Sequence, residues 1–407
     1  MRNQHSLLLP LHQKRFCQLW IANLLSNLGN WSQTFALTWQ VTSLTQSNFK
    51  TSLVQTALWA PLFIFAIPAG QLADALPKPR LLFISNLLAC VIALTLWALS
   101  GSDMISINLM FWLCFLSASA SAFTLPAWQT SMSELVSRSQ LSAVSSLNNL
   151  SFNVAACIAP LFAGIFVLWL GPGPIYLFNA LSFCGLLLIY YRWQHQLRTT
   201  HPTSISLKRG MRQGVQQVFE QIRTTPSLKI LLSLTFLVFC LCNAIPALLP
   251  SFRYANTEPS AIHYGMRMGI FGGGSVAAAL LVSALRMRFT ERQLLRLALS
   301  TYGLMLIALA MFKVYVFSMI ALFIAGVAWS VIVTSFNSAA LRAFSPSLRA
   351  RGLSFYILVN AAGQASGGLI WGRIADMFNL PTSAMLAGVV LLICAVFVHI
   401  TQEFLEP

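Results

Sequence analysis

Twelve runs of mainly apolar residues follow one another along this chain, at 16–44, 52–73, 81–101, 105–128, 141–170, 174–193, 228–251, 262–286, 293–312, 314–340, 351–375 and 380–401. About 20 such residues cross a bilayer as a helix. Lipid offers no partner for a bare backbone N–H or C=O, so each run must satisfy its own hydrogen bonds as a helix. Of the 407 residues, 57% are hydrophobic and 8% charged, whereas a soluble domain carries about 25% charged residues. The chain therefore reads as an all-α membrane protein. Several runs exceed the bilayer thickness and are expected to tilt or to extend beyond it.

The net charge of +16 would suit a nucleic-acid partner only if a folded polar domain displayed it. The longest polar stretch, Gln194 to Ser227, is too short for its own core. The cations instead sort by side. The N-terminal tail and the loops after spans 2, 4, 6, 8 and 10 hold twenty Lys and Arg; the opposite side holds five, Lys50, Arg253, Arg267, Lys313 and Arg373. The richer side is predicted to be cytoplasmic, with both termini there. The opening "LLLPL" is too short for a cleavable signal, so the first run is expected to stay as a span.

Around span 5 the chain reads "NVAACIAPLFAG", and around span 11 "NAAGQASGGLIWG". A shift of 208 residues lays Ala155, Ala159, Pro160 and Gly164 on Gly363, Gly367, Gly368 and Gly372. Small residues four apart let helices approach closely in lipid. Two six-helix halves, 1–193 and 228–407, joined by a basic cytoplasmic linker at 194–227, are the parallel-repeat plan of one transporter class.

Gly70-Gln-Leu-Ala-Asp74, followed by Lys78 and Arg80, resembles the loop 2–3 motif of the major facilitator superfamily, Gly-x-Leu-Ala-Asp-Arg-x-Gly-Arg-Lys. Here Ala75 replaces the motif's Arg, Pro77 its Gly, and Pro79 interrupts the cations. "AACIAPLFAG" resembles the exporter signature Gly-x-x-x-Gly-Pro-x-x-Gly-Gly, with Ala at 155, 159 and 163. "SNLGNWSQTFALTWQVTSLTQS", "LPAWQTSMSELVSRSQLSAVSSLNNL" and "RARGLSFY" narrow the likeness to the enterobactin-exporter-like, or transmembrane secretion effector, branch. The resemblance covers nearly the whole chain. It implies the major facilitator fold of twelve transmembrane helices in two pseudo-repeats, with spans 1, 4, 7 and 10 around a central cavity. It also places Asp74 near the start of span 11, where it can cap a helix N-terminus and pair with Arg349 or Arg351. The bland alternative is a solvated loop acid worth little.

Polar residues inside spans mark cavity walls more often than lipid-facing surface. Asn23, Asn27, Asn30, Thr34 and Thr38 share one helical face. Asn243, Asn337, Asn360 and Gln364 lie in spans 7, 10 and 11. They are candidates for solute contact or for interhelical hydrogen bonds. Arg267 lies about a turn inside span 8, where an unpartnered cation costs roughly 2.5–3.5 kcal/mol. It either snorkels to the interface or grips an anionic solute.

None of the nine acids lies near the middle of a span. Proton coupling would have to use Asp74, Glu134 or Asp376 from an interfacial position. No triad, paired-carboxylate or phosphate-loop pattern can be assembled, so neither an enzyme nor direct ATP use is expected. The eight cysteines read as small buried hydrophobes; no metal or other cofactor is expected. The expectation is a monomeric, proton-coupled exporter of a small siderophore-like solute in the inner membrane. Multidrug efflux, a lysophospholipid or metabolite carrier, and a membrane-embedded protein that transports nothing are the alternatives.

Overall fold

A computed structural model describes residues 9–45, 47–102, 106–137, 140–196, 207–252, 260–312, 314–345 and 348–400. Nearly all of them are helical. In chain order the helices are α1 (Lys14–Thr45), α2 (Asn48–Ala75), α3 (Lys78–Ser100), α4 (Ile107–Glu134), α5 (Leu141–Leu170), α6 (Gly173–Gln196), α7 (Leu207–Thr224), α8 (Pro226–Cys242), α9 (Ala244–Leu248), α10 (Ala261–Arg286), α11 (Glu291–Met311), α12 (Tyr315–Ala343), α13 (Arg349–Met377) and α14 (Leu380–Ile400). Among the described residues ten stretches are long and apolar enough to cross a membrane. They coincide with ten of the twelve predicted runs. The other two runs form α1 and α10, helices of 32 and 26 residues. Both are diluted by polar residues or by glycine and Arg267.

The helix ends follow local chemistry. Ser106 accepts from the Leu109 amide to start α4. Thr290 and Gln293 form a reciprocal capping box at α11. Gly171, at φ +74, ends α5 in a conformation that only glycine adopts without strain.

The chain divides into two units, residues 1–37 with 65–204, and residues 38–64 with 205–407. In the first, α3 packs on α4 and α6, and α5 on α6. Phe16, Leu19, Leu82, Met132, Leu147 and Tyr190 form one apolar core there. In the second, the close pairs are α8 with α13, α10 with α12, α11 with α12 and α11 with α14. Backbone proximity drives these crossings. A Cβ on Gly274 would fall on the Phe323 carbonyl, and one on Gly326 on the Phe271 carbonyl. Gly303 and Gly388 face each other in the same way between α11 and α14. Exposed apolar side chains such as Trp112, Leu181, Ile320 and Ile393 cover the outer faces, as lipid requires.

The predicted linker contains α7. Its apolar stripe at 207, 211, 215, 218 and 222 has helical spacing. Val218 is buried, and Phe219 meets Phe355 edge-on with 6.2 Å between ring centroids.

Candidate functional site

Two asparagines of the predicted polar face of α1, Asn27 and Asn30, are tied down inside the first unit. Asn27 donates through Nδ2 to Ser151 Oγ at 3.0 Å. Asn179, fully buried in α6, donates to Gln33 Oε1 at 2.8 Å and to Asn30 Oδ1 at 3.4 Å. Gln33 passes the chain of bonds to Ser117 of α4 at 3.4 Å. Gly29 is the gap that admits Asn179, because a Cβ there would fall on the Asn179 and Ser182 side chains. Thr34 is half-buried beside this network. Gln33, Ser117, Ser151 and Asn179 were not foreseen. Gln33 lies three residues after Asn30 and so shares the face of the asparagines, and the partners lie on other helices.

Three predicted residues of the second unit come together. Span 7 breaks at Asn243, where α8 ends and α9 begins. A break inside an apolar core frees backbone carbonyls. They are taken up by side chains: Trp371 Nε1 donates to the Cys240 carbonyl at 2.8 Å and Tyr302 Oη to the Cys242 carbonyl at 2.7 Å. Asn243 Nδ2 donates to the Gln364 carbonyl at 2.9 Å, and Gln364 Nε2 to Asn360 Oδ1 at 2.7 Å. Asn243 Oδ1 is buried with no hydrogen-bond partner among the described residues. An amide acceptor left open in a low-dielectric interior costs about 1–3 kcal/mol. Asn337 of α12 is exposed and stands apart from this cluster.

Arg267 is 4% exposed, so it does not snorkel into water. Its Nε donates to the His263 carbonyl at 3.1 Å and its Nη1 to the Phe252 carbonyl at 3.2 Å. The guanidinium thus braces the start of α10 against the end of the segment after α9. Next to it Tyr264 stacks on Trp39 at 6.2 Å between centroids.

The small residues sort by helix face. Ala155, Ala159, Pro160 and Gly164 of α5 are buried. On α13, Gly363 and Gly367 press on the backbone of α8 at Phe236 and Cys240, while Gly368 and Gly372 press on Ser52 and Thr56 of α2. One helix thereby makes two close contacts a third of a turn apart.

The α2–α13 contact ends in a carboxylate. Asp376 accepts from Ser47 Oγ at 2.7 Å, the Asn48 amide at 2.9 Å and the Phe49 amide at 3.2 Å. Ser47 Oγ itself accepts from the Lys50 amide at 3.3 Å, and the Ser47 carbonyl from the Thr51 amide at 3.0 Å. The amides of Asn48, Phe49 and Lys50, which the helix start leaves without an intrahelical partner, are all satisfied, and Thr51 makes the first intrahelical bond. Thr56 Oγ1 donates to the Ala365 carbonyl at 2.8 Å, and the Arg373 guanidinium lies 5.9 Å from the Phe49 ring centroid. The signal for this site was in the sequence: Gly70-Gln-Leu-Ala-Asp74 recurs as Gly372-Arg-Ile-Ala-Asp376. It goes unseen when the halves are aligned at a shift of 208.

Of the predicted gate residues, Gly70 lies in α2 with open space where a Cβ would go. Lys78 is half-buried at the start of α3, and Arg80, Arg349 and Arg351 are exposed. The side chains of Asp74 and Glu134 lie outside the described residues. The described cysteines are free thiols, and no group of His, Cys, Asp or Glu able to hold a metal occurs among the described residues.

Apolar helices of this number and length make a multi-pass membrane protein, and the family model that matches the chain makes it a transporter of the major facilitator type. The fold is that of a nucleoside transporter, NupG, in a crystal structure of a point mutant: TM-score 0.78 at 12% identity, over 95% of this chain and 99% of that one. It is also that of a POT family transporter solved with 5-aminolevulinic acid (0.75, 13%, 96% and 96%) and with a thioalcohol-conjugated peptide (0.73, 13%, 96% and 96%). No curated protein matches by sequence. The chain belongs to the transmembrane secretion effector family, whose model matches residues 5–404.

Proposed function

We propose that this protein is a twelve-span secondary exporter of the inner membrane, with both termini cytoplasmic, that moves a small siderophore-like anionic molecule outward by alternating access. Membership of a secretion effector family supports the outward direction. The observation that carries solute handling is the helix break at Asn243, with an open amide oxygen beside Gln364 and Asn360. Broken helices inside a transporter present polar groups to a solute at membrane depth. In this reading α1 and α10 are the two remaining spans. Asn243, Asn360 and Gln364 contact the solute. Asn27, Asn30, Thr34 and Asn337 line its path, and Arg267 holds the outer end of that path.

Protons are the coupling ion in this reading. Among the described acids, Asp376 is the one held by a network of hydrogen bonds from another helix; Glu291 pairs with Arg286 at 3.2 Å and Glu220 is exposed. Asp74 and Glu134 are the remaining coupling candidates. With no ATP-binding loop in the sequence, an ion gradient is the remaining source of energy.

The test is metabolite profiling of a deletion strain, inside and outside the cell. One anionic metallophore-like compound should build up inside and be cleared by the wild-type gene but not by Asn243→Leu. Build-up of a lysophospholipid or of added drugs would reassign the solute. No accumulation of any compound would remove the export reading. Normal export by Arg267→Gln would remove that residue from the path.

A further inference from the structure

We infer that Asp376 is a latch, which holds the first half of α2 on the last turns of α13 by serving as that helix's N-terminal cap. The inference rests on the transporter reading but concerns how the cycle is held, not what is carried.

A helix start is normally capped by its own chain, and Ser47 already does so through the Lys50 amide. The carboxylate that takes the next two amides comes from 327–329 residues away, and it takes the Ser47 hydroxyl as well. Its charge lies at the positive end of a 28-residue helix. The bond is therefore made only while α2 and α13 are side by side. Below it the two helices have little else polar between them: Thr56 to the Ala365 carbonyl, and glycines 368 and 372 against Ser52 and Thr56. Glycine faces give close approach but small side-chain burial, so such a contact opens with few apolar contacts to lose. A charge on the helix end supplies a directional bond where packing supplies little.

The charged groups around the latch are few. Lys50 is exposed in the first turn of α2, and Arg373, exposed on α13, lies over Phe49 rather than on the carboxylate. Neither replaces the amides as the partner of Asp376.

The duplicated pentapeptide strengthens the inference. Gly-x-Leu/Ile-Ala-Asp closes α2 at residues 70–74 and α13 at residues 372–376. The same five-residue pattern thus stands at the end of both helices of this pair. At the α13 end its aspartate is seen at work.

Hydrogen–deuterium exchange on the purified full-length protein in lipid nanodiscs tests this without knowing the solute. Asp376→Asn keeps the shape and removes the charge. Amides across 48–60 should exchange at least tenfold faster than in wild type, and amides across 38–45 and 360–376 should follow as one block. Asp376→Glu should recover most of the protection. Acceleration confined to Asn48 and Phe49 would reduce Asp376 to a local cap and overturn the latch, as would no change. If Asp376→Asn fails to fold, Ser47→Ala removes one donor from the carboxylate and the Lys50 cap with it; faster exchange must then extend to 360–376, and acceleration confined to α2, or none, would overturn the latch equally. A block response in a protein that exports nothing would leave the latch standing and remove the export reading.

Discussion

Tyr302 shows how much one oxygen does in a chain this apolar. Its hydroxyl is the partner of the Cys242 carbonyl at the end of α8. Tyr302→Phe keeps the ring and strands that carbonyl in the interior, at a cost of about 1–3 kcal/mol. The thermal midpoint of the purified protein should fall by several degrees. Glycine makes the opposite point. Gly326→Ala places a methyl group on the Phe271 backbone, and overpacking of this kind costs about 1–3 kcal/mol. Lower yield and a lower midpoint are expected, while Gly70→Ala, in open space, should be silent. Asn243, Asn360 and Gln364 were legible in the sequence because an amide in an apolar run stands out. Their mutual bonds were not, since Asn243 and Gln364 are 121 residues apart and no periodicity links residues on two helices. Arg267 was legible as an anomaly; that it ends on two backbone carbonyls was not, because a carbonyl leaves no mark in a sequence.

Among elements, most helices were read to within a few residues: the predicted 141–170 and 351–375 are α5 at Leu141–Leu170 and α13 at Arg349–Met377, while the predicted 105–128 stops six residues short of the end of α4 at Glu134. Hydropathy fixes where a helix must begin and end in lipid. It gives no account of what satisfies a break such as that between α8 and α9: Pro246 lacks the amide that would take the Cys242 carbonyl, and Tyr302 and Trp371 come from elsewhere to serve the freed carbonyls. In α1 the polar face reads as a cavity wall, but α6 answers Asn30 and Gln33 with Asn179, and α5 answers Asn27 with Ser151. Asn179→Leu should therefore destabilise the first unit by about 1–2 kcal/mol, measured as earlier loss of protection in α1 and α6 on heating. In α7, Val218→Asp buries a charge on the apolar stripe. Limited trypsin digestion should then cut at Arg223 several-fold faster, with the spans left intact.

For the molecule as a whole, orientation rests on cation placement, twenty on one side and five on the other. Reporter fusions at Arg209 and after Ile400 should report the cytoplasm, and fusions at Asp103 and Asn379 the outside; an inverted pattern would reverse the direction of pumping. The two units divide inside the linker, after Ser204, and also inside α1 and α2, after Leu37 and after Ile64. In α2 that division falls between Pro61 and Pro68. Proline lacks the amide that would bond four residues back, so the Ala57 and Ile64 carbonyls have no rung above them. A rod is softest where a rung is missing. When torque reaches α2 from either end, its compliance is concentrated at those two points, where the helix can flex repeatedly with no ladder bond to break and remake.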